Sequence, residues 1–216
     1  MPDFAALRDA MVDRQIAGRG IRNAPLLAAM RKVPRELFVP EAIRDFAYED
    51  GPLPIEAGQT ISQPYIVALM IEAAGVAPAG HVLEIGAGSG YAAAIMSRIA
   101  ADVIAIERHS ALAELAAARM AALGYTNVRI VAGDGSAGWP ENAPYDSILA
   151  AASGHQIPEA LKQQLSVGGT LVMPLGASGE PQNLVRLVRE GEDDWQLYDL
   201  GPVRFVPLIG EAGWRE

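Results

Sequence analysis

Between residues 81 and 173 the chain alternates short apolar runs with alanine- and leucine-rich stretches of helical length, and this alternation constrains the fold more than any other feature. The runs are His81-Val82-Leu83-Glu84-Ile85, Val103-Ile104-Ala105-Ile106-Glu107, Val128-Arg129-Ile130-Val131, Tyr145-Asp146-Ser147-Ile148-Leu149 and Thr170-Leu171-Val172-Met173. Helices are predicted over residues 91–100, 110–123 and from Pro158 onward. Consecutive strands joined by helical crossovers pair in parallel, and a parallel sheet has both faces covered, so the pattern predicts a doubly wound α/β sheet. After Pro174 the alternation stops. Residues 184–188 and 195–208 read as two strands flanking the acidic turn Glu190-Gly191-Glu192-Asp193-Asp194, which predicts an antiparallel pair at the end of the sheet.

Upstream, Phe4, Leu7, Met11 and Ile16, then Leu26, Leu27 and Met30, recur at three- to four-residue spacing around Gly18, Gly20, Asn23 and Pro25. Two short helices are predicted. Prolines then break Val33-Pro34-Arg35-Glu36-Leu37-Phe38-Val39-Pro40 and Asp50-Gly51-Pro52-Leu53-Pro54. Residues 1–58 are therefore read as a cap leaning on a main domain of residues 59–216, the two making one structural unit.

Composition narrows the function. Half of the 216 residues are hydrophobic and 20% are charged, enough apolar surface for one main core and too much for long disorder. No apolar run reaches the ~18 residues of a bilayer span. The first residues carry Asp3, Arg8, Asp9, Asp13 and Arg14 instead of a basic segment followed by an apolar one, so a cytoplasmic protein with no membrane partner is expected. With no cysteine, disulfides and thiolate chemistry are excluded, and His81, His109 and His155 form no metal-type pair, so no metal is expected. A net charge of −9 opposes a polyanionic partner such as nucleic acid.

The turn from the first apolar run into the first helix reads Glu84-Ile85-Gly86-Ala87-Gly88-Ser89-Gly90-Tyr91, at the position where such sheets bind nucleotides. A dinucleotide fingerprint G-x-G-x-x-G needs its third glycine where this chain has Tyr91. Glu84 would also repel a pyrophosphate and attract a cation. S-adenosyl-L-methionine offers an ammonium and a sulfonium beside a ribose and an adenine. Glu107, about twenty residues downstream at the end of the second run, is a candidate acceptor for both ribose hydroxyls, and Asp134 in Gly133-Asp134-Gly135 for the adenine side. Taken singly, each acid also reads as a helix cap or a solvated turn residue. Three acids after three consecutive strands favour a site. The candidate cofactor residues are Glu84, Gly86, Gly88, Gly90, Glu107, Asp134 and Gly135.

Ahead of the sheet, Gly58-Gln59-Thr60-Ile61-Ser62-Gln63-Pro64-Tyr65 precedes an apolar helix. Read locally, Thr60 or Ser62 is its N-cap, Pro64 lies in the first turn, and Thr60 with Gln63 matches a capping box. The same residues carry a resemblance. VPRELFVP from Val33, GQTISQPYIVALM from Gly58, VLEIGAGSGY from Val82, GDGSAGWP from Gly133 and PVRFVPLIG from Pro202 together resemble the protein-L-isoaspartate O-methyltransferases across nearly the whole chain.

The resemblance implies a seven-stranded, Rossmann-like S-adenosylmethionine-dependent fold with a helical N-terminal cap. It implies methyl transfer to L-isoaspartyl carboxylates in damaged proteins and peptides, with S-adenosyl-L-homocysteine as the second product. The methyl ester collapses to a succinimide that reopens partly to normal aspartate. It makes Ser62 the candidate catalytic residue, orienting the accepting carboxylate, and Thr60, Ile61, Val206 and Pro207 the candidate peptide contacts. A monomer is expected. A carboxyl methyltransferase for one dedicated aspartyl peptide or small molecule, and a non-catalytic binding homologue, are the alternatives. Where the family often reads close to VTAAPPEIP or VGAAAPVVP, this chain has Ala150-Ala151-Ala152-Ser153-Gly154-His155-Gln156-Ile157-Pro158, a polar replacement beside the expected transfer centre. The nucleophile is a carboxylate already ionised at neutral pH, so His155 is not needed as a base.

Overall fold

The structure is a computed structural model and describes residues 2–177 and 180–215. Side-chain caps start the two N-terminal helices. Asp3 accepts the Ala6 amide at 3.1 Å to open α1 (Phe4–Met11), and Asn23 accepts the Leu26 amide at 3.0 Å to open α2 (Ala24–Lys32), where Arg31 and Lys32 lie against the negative end of the helix dipole. The chain does not break after α1. It continues through a π-helical turn, Val12–Ile16, and a tighter 3-10 turn, Ala17–Arg19, before Gly20 ends it.

A short antiparallel ribbon follows, β1 (Leu53–Pro54) against β2 (Thr60–Ile61), with Leu53 opposite Ile61. It joins the two sides of the boundary drawn at residues 58 and 59. Helix α3 (Pro64–Ala73) starts at its proline, but its N-cap is Gln63 and no side chain caps it. The capping box read from Thr60 and Gln63 is therefore not formed, because ribbon pairing holds Thr60 away from the helix end.

Strand β3 (His81–Ile85), helix α4 (Tyr91–Ser97), β4 (Asp102–Glu107), α5 (Ser110–Ala122), β5 (Val128–Ala132), β6 (Tyr145–Ala150), α6 (Glu159–Gln163) and β7 (Leu165–Leu175) realise the predicted alternation. The helix expected after Pro158 has only five residues, and the strand expected at residues 170–173 extends to eleven. Strands β8 (Gln182–Arg189) and β9 (Trp195–Val203) complete a seven-stranded sheet of order β5-β4-β3-β6-β7-β8-β9, parallel up to β7 and antiparallel thereafter.

Strand β9 stops at Val203, five residues short of the predicted end. Its continuation turns toward the loop after β6: the Phe205 amide donates to Gln182 Oε1 at 2.8 Å, and Ser153 exchanges two 2.8 Å backbone bonds with Val206 and Leu208.

Alternate residues of the central strands enter opposite cores. Val82, Val103 and Ala105 pack with the cap helices, α3 and α4, whereas Leu83, Ile85, Ile104 and Ile106 pack on the other face with Ile148, Leu171 and Met173. Met11, Leu26 and Phe38 of the cap belong to the same buried cluster as Tyr91 and Ile95. Connections from β3 run outward to β4 and β5 and then return to β6 on the other side of β3. The chain thus reverses direction between β3 and β6, where such sheets open a crevice.

Candidate active site

A cleft of about 910 Å3 lies over the carboxyl ends of β3, β4 and β6. Strand alternation aims two carboxylates into it from the cap-side face. Glu84 shares that face with Val82, and Glu107, at the end of the neighbouring strand, shares it with Val103 and Ala105.

The glycine loop is wired differently from a phosphate cradle. The Gly86 and Ala87 amides both donate to the Ile106 carbonyl, at 2.8 and 3.0 Å. The Gly88 amide donates to Glu107 Oε2 at 2.9 Å, the His109 amide to Glu107 Oε1 at 2.9 Å, and the Ala93 amide to the Glu84 carboxylate. Donors that would cradle a phosphate are committed to strand β4 and to two carboxylates. What the cleft offers is acceptor capacity and negative charge.

Glu84 is 2% exposed, and among the described residues its Oε2 has no hydrogen-bond partner. Burial pushes its pKa up to about 8, with the nearby charge of Glu107 adding to the rise and the Ala93 amide opposing it. The protein alone therefore keeps this carboxyl largely protonated at neutral pH, poised for a cation.

Across the cleft, Thr60, Ile61 and Ser62 form the opposite wall. Among the described residues the Ser62 hydroxyl has no hydrogen-bond partner, so it is not used as a cap. Val206 and Pro207 form a third wall, fixed by the bonds to Ser153 and Gln182. Gly86, Gly88 and Gly135 complete the floor. Gly135 is required by close approach, since a Cβ there would lie 2.4 Å from Ile85 Cγ2.

Two residues expected in the cofactor site lie outside the cleft lining. Gly90 caps α4 with φ of 86°, and a Cβ there would meet Met120 Cε at 2.7 Å, so it lets α4 pack against α5. Asp134 turns from the cleft: Oδ1 accepts the Ser136 amide at 2.8 Å and Oδ2 the Glu211 amide at 2.7 Å, tying the C-terminal segment to the β5 loop. Partial burial raises its pKa, but these amides, the Ser136 hydroxyl and Arg108 outweigh it, and the net direction is downward. The signal that redirects Asp134 lies 77 residues away in sequence. His155 also lies outside the cleft lining, packed edge-on against Trp214 at 5.3 Å.

The family model for protein-L-isoaspartate(D-aspartate) O-methyltransferase matches residues 6–213. The chain belongs to this family. It is 59% identical over 211 residues to protein-L-isoaspartate O-methyltransferase 1 of Rhodopseudomonas palustris strain HaA2, covering 98% of this chain and 86% of that one. To the protein-L-isoaspartate O-methyltransferase of Methylorubrum extorquens strain PA1 it is 58% identical over 213 residues, covering 99% and 92%. A solved protein-L-isoaspartate O-methyltransferase superposes with a TM-score of 0.85 at 30% identity, over 95% of this chain and 67% of that one. A putative member from Plasmodium falciparum, solved with S-adenosyl-L-homocysteine, shares the fold with a TM-score of 0.80 at 23% identity, over 94% and 98%.

Within this family frame the cleft also contains residues that sequence reasoning passed over. Gln59 and His109 approach to 3.4 Å across it, Tyr91 lines it from the start of α4, and Gln182 supports the Phe205 wall. Only Tyr91 had a local signal, as the residue that breaks the dinucleotide pattern.

Proposed function

We propose that this family member methylates the free α-carboxylate of L-isoaspartyl residues in damaged proteins and peptides, using S-adenosyl-L-methionine bound over β3 and β4. The observation that carries the cofactor reading is the buried Oε2 of Glu84, unpartnered among the described residues, beside a loop whose Gly86, Ala87, Gly88 and Gly90 amides are taken up within the protein. Such a site rejects a phosphate and fits a cationic methionine end. Glu107 fits the ribose, because each of its oxygens accepts one amide and keeps a second lone pair for a hydroxyl. The segment at Gly135 flanks the adenine, with Asp134 fixing that segment from behind.

When bound, S-adenosyl-L-methionine supplies a methyl group made electrophilic by its sulfonium. The protein supplies alignment and exclusion of water. Thr60, Ile61, Val206 and Pro207 hold the peptide by its backbone, and Ser62 donates a hydrogen bond to the carboxylate oxygen that does not attack. That bond fixes the carboxylate plane and leaves the other oxygen free to approach the methyl in line. No general base is needed, because the acceptor is ionised at neutral pH.

Residues 1–58 act as the cap that closes one side of the cleft. We read the protein as a cytoplasmic monomer. With no cysteine the fold draws nothing from an oxidising compartment, and no helix among the described residues is long and apolar enough to cross a membrane.

The test is product analysis on a synthetic isoaspartyl peptide incubated with the protein and S-adenosyl-L-methionine. The reading expects a methyl ester on the isoaspartyl α-carboxyl, then a succinimide, then a mixture containing the aspartyl peptide. A peptide recovered without ester or succinimide overturns it.

A further inference from the structure

The apolar run from Val33 to Val39 contains a charge that its burial does not explain. Arg35 is 0% exposed, and among the described residues no carboxylate is paired with it. Its sequence neighbour Glu36 is engaged elsewhere, accepting the Tyr48 hydroxyl and lying 4.0 Å from Arg8. A buried guanidinium without a paired carboxylate is costly, and an apolar side chain of similar volume would avoid that cost only by leaving the Ala47 and Ser62 carbonyls without this donor.

What Arg35 does touch lies in three different segments. Nε donates to the Ala47 carbonyl at 2.8 Å, within the cap. Nη2 donates to the Ser62 carbonyl at 2.9 Å, between β2 and α3. The guanidinium lies 4.8 Å from the ring centroid of Tyr91, the first residue of α4 after the glycine loop. Among the described residues Nη1 has no partner other than the buried Tyr91 hydroxyl, whose proximity offsets part of the desolvation of the guanidinium. Ser62 and Tyr91 both line the cleft, whereas Arg35 does not. One planar fork thus connects the cap, the segment of the candidate catalytic hydroxyl and the start of the helix that follows the cofactor loop.

We propose that Arg35 is a positioning residue for methyl transfer, clamping the Ser62 backbone so that its hydroxyl meets the acceptor, and giving that wall an uncompensated positive charge that selects an anionic acceptor. This rests on the reading of Ser62 as the carboxylate-orienting residue. Lysine cannot reproduce the clamp, because an ammonium lacks the rigid fork that reaches two carbonyls in fixed directions. Methionine keeps much of the volume and removes the charge.

The experiment is a double-mutant cycle in steady-state kinetics on an isoaspartyl peptide, with wild type, Ser62→Ala, Arg35→Lys and the double variant, alongside S-adenosyl-L-homocysteine affinity. Arg35→Lys is expected to lower kcat/KM by about tenfold or more with cofactor affinity within about twofold, and to cost less than about threefold once Ser62 is already alanine. Equal losses in both backgrounds overturn the inference about Arg35 and leave that about Ser62 standing. Wild-type turnover in Ser62→Ala overturns both.

Arg35→Met supplies the second readout; it removes a desolvated charge and also the donors to the Ala47 and Ser62 carbonyls, so its melting temperature is measured beside its kinetics. It should raise KM for the isoaspartyl peptide by a larger factor than it weakens inhibition by the uncharged isoasparaginyl analogue, which keeps an oxygen for Ser62 but not the charge. A folded Arg35→Met with wild-type KM and kcat, or with both ligands weakened equally, overturns the inference.

Discussion

Binding of S-adenosyl-L-homocysteine should release a proton, because the ligand's ammonium meets a carboxyl that the protein alone keeps protonated. Glu84 is held at a pKa of about 8 by burial and by Glu107. At pH 7 roughly nine molecules in ten then carry the proton, and a cation beside Oε2 favours its loss. Calorimetry in buffers of different ionisation enthalpy should report release of up to ~0.9 proton per ligand at pH 7 and ~0.1 at pH 9. Affinity should rise with pH below about 8, by at most about tenfold per unit, and level off above it. Glu84→Gln cannot ionise, so it should abolish the release and flatten the affinity profile.

The sign for folding is opposite. A folded pKa raised from the ordinary 4.5 to about 8 gives stability that is full below 4.5 and is lost as pH rises to about 8. The melting temperature of the ligand-free protein should therefore fall over that window, and less so in Glu84→Gln. No proton exchange at pH 7, or equal release by Glu84→Gln, would refute the assignment of Glu84 to the cationic end of the cofactor.

Three substitutions separate the roles of the remaining residues. Glu107→Ala should weaken cofactor binding by about 1–3 kcal/mol, read by calorimetry on a folded variant, since it removes charge-assisted hydrogen bonds to ligand hydroxyls. Ser62→Ala should lower turnover severely while S-adenosyl-L-homocysteine affinity and melting temperature stay close to wild type, because no helix cap depends on the hydroxyl; stability loss with normal turnover would reverse that role. Asp134→Ala should lower the melting temperature more than it lowers cofactor affinity, because its two oxygens hold the Ser136 and Glu211 amides. Its depressed pKa adds a stabilising contribution that is present above the ordinary aspartate range and lost as acidification protonates it, so the difference from wild type should shrink at low pH.

Much of this architecture is legible in the chain because its signals are local. Each central strand is a short continuous apolar run, each crossover a helical stretch, and the glycine loop with Glu84 and Glu107 sits where strand ends must lie. What escaped depends on partners outside each local pattern. Gly90 answers to Met120 of α5, Asp134 to the amide of Glu211, and Thr60 to its ribbon partner Pro54. The ribbon overrode a capping pattern that was locally correct. Strand β9 ends early for a similar reason, since Ser153 draws Val206 and Leu208 into pairing with the loop after β6. The polar replacement Ser153-Gly154-His155 thus anchors the cleft wall at Val206, and His155 packs edge-on against Trp214. Arg35 was visible as part of a motif, but neither its burial nor its bond to Ser62 leaves a mark in periodicity.

The central claim is that the acceptor is the isoaspartyl carboxylate, and labelled methyl transfer to matched peptide pairs tests it most directly. Several unrelated sequences, each synthesised in isoaspartyl and aspartyl forms, are incubated with the protein and methyl-labelled S-adenosyl-L-methionine, and base-labile label is counted. The account predicts label in every isoaspartyl peptide and none above background in the aspartyl twins. Equal labelling of the twins, labelling of a single sequence only, or no labelling of either form would contradict it.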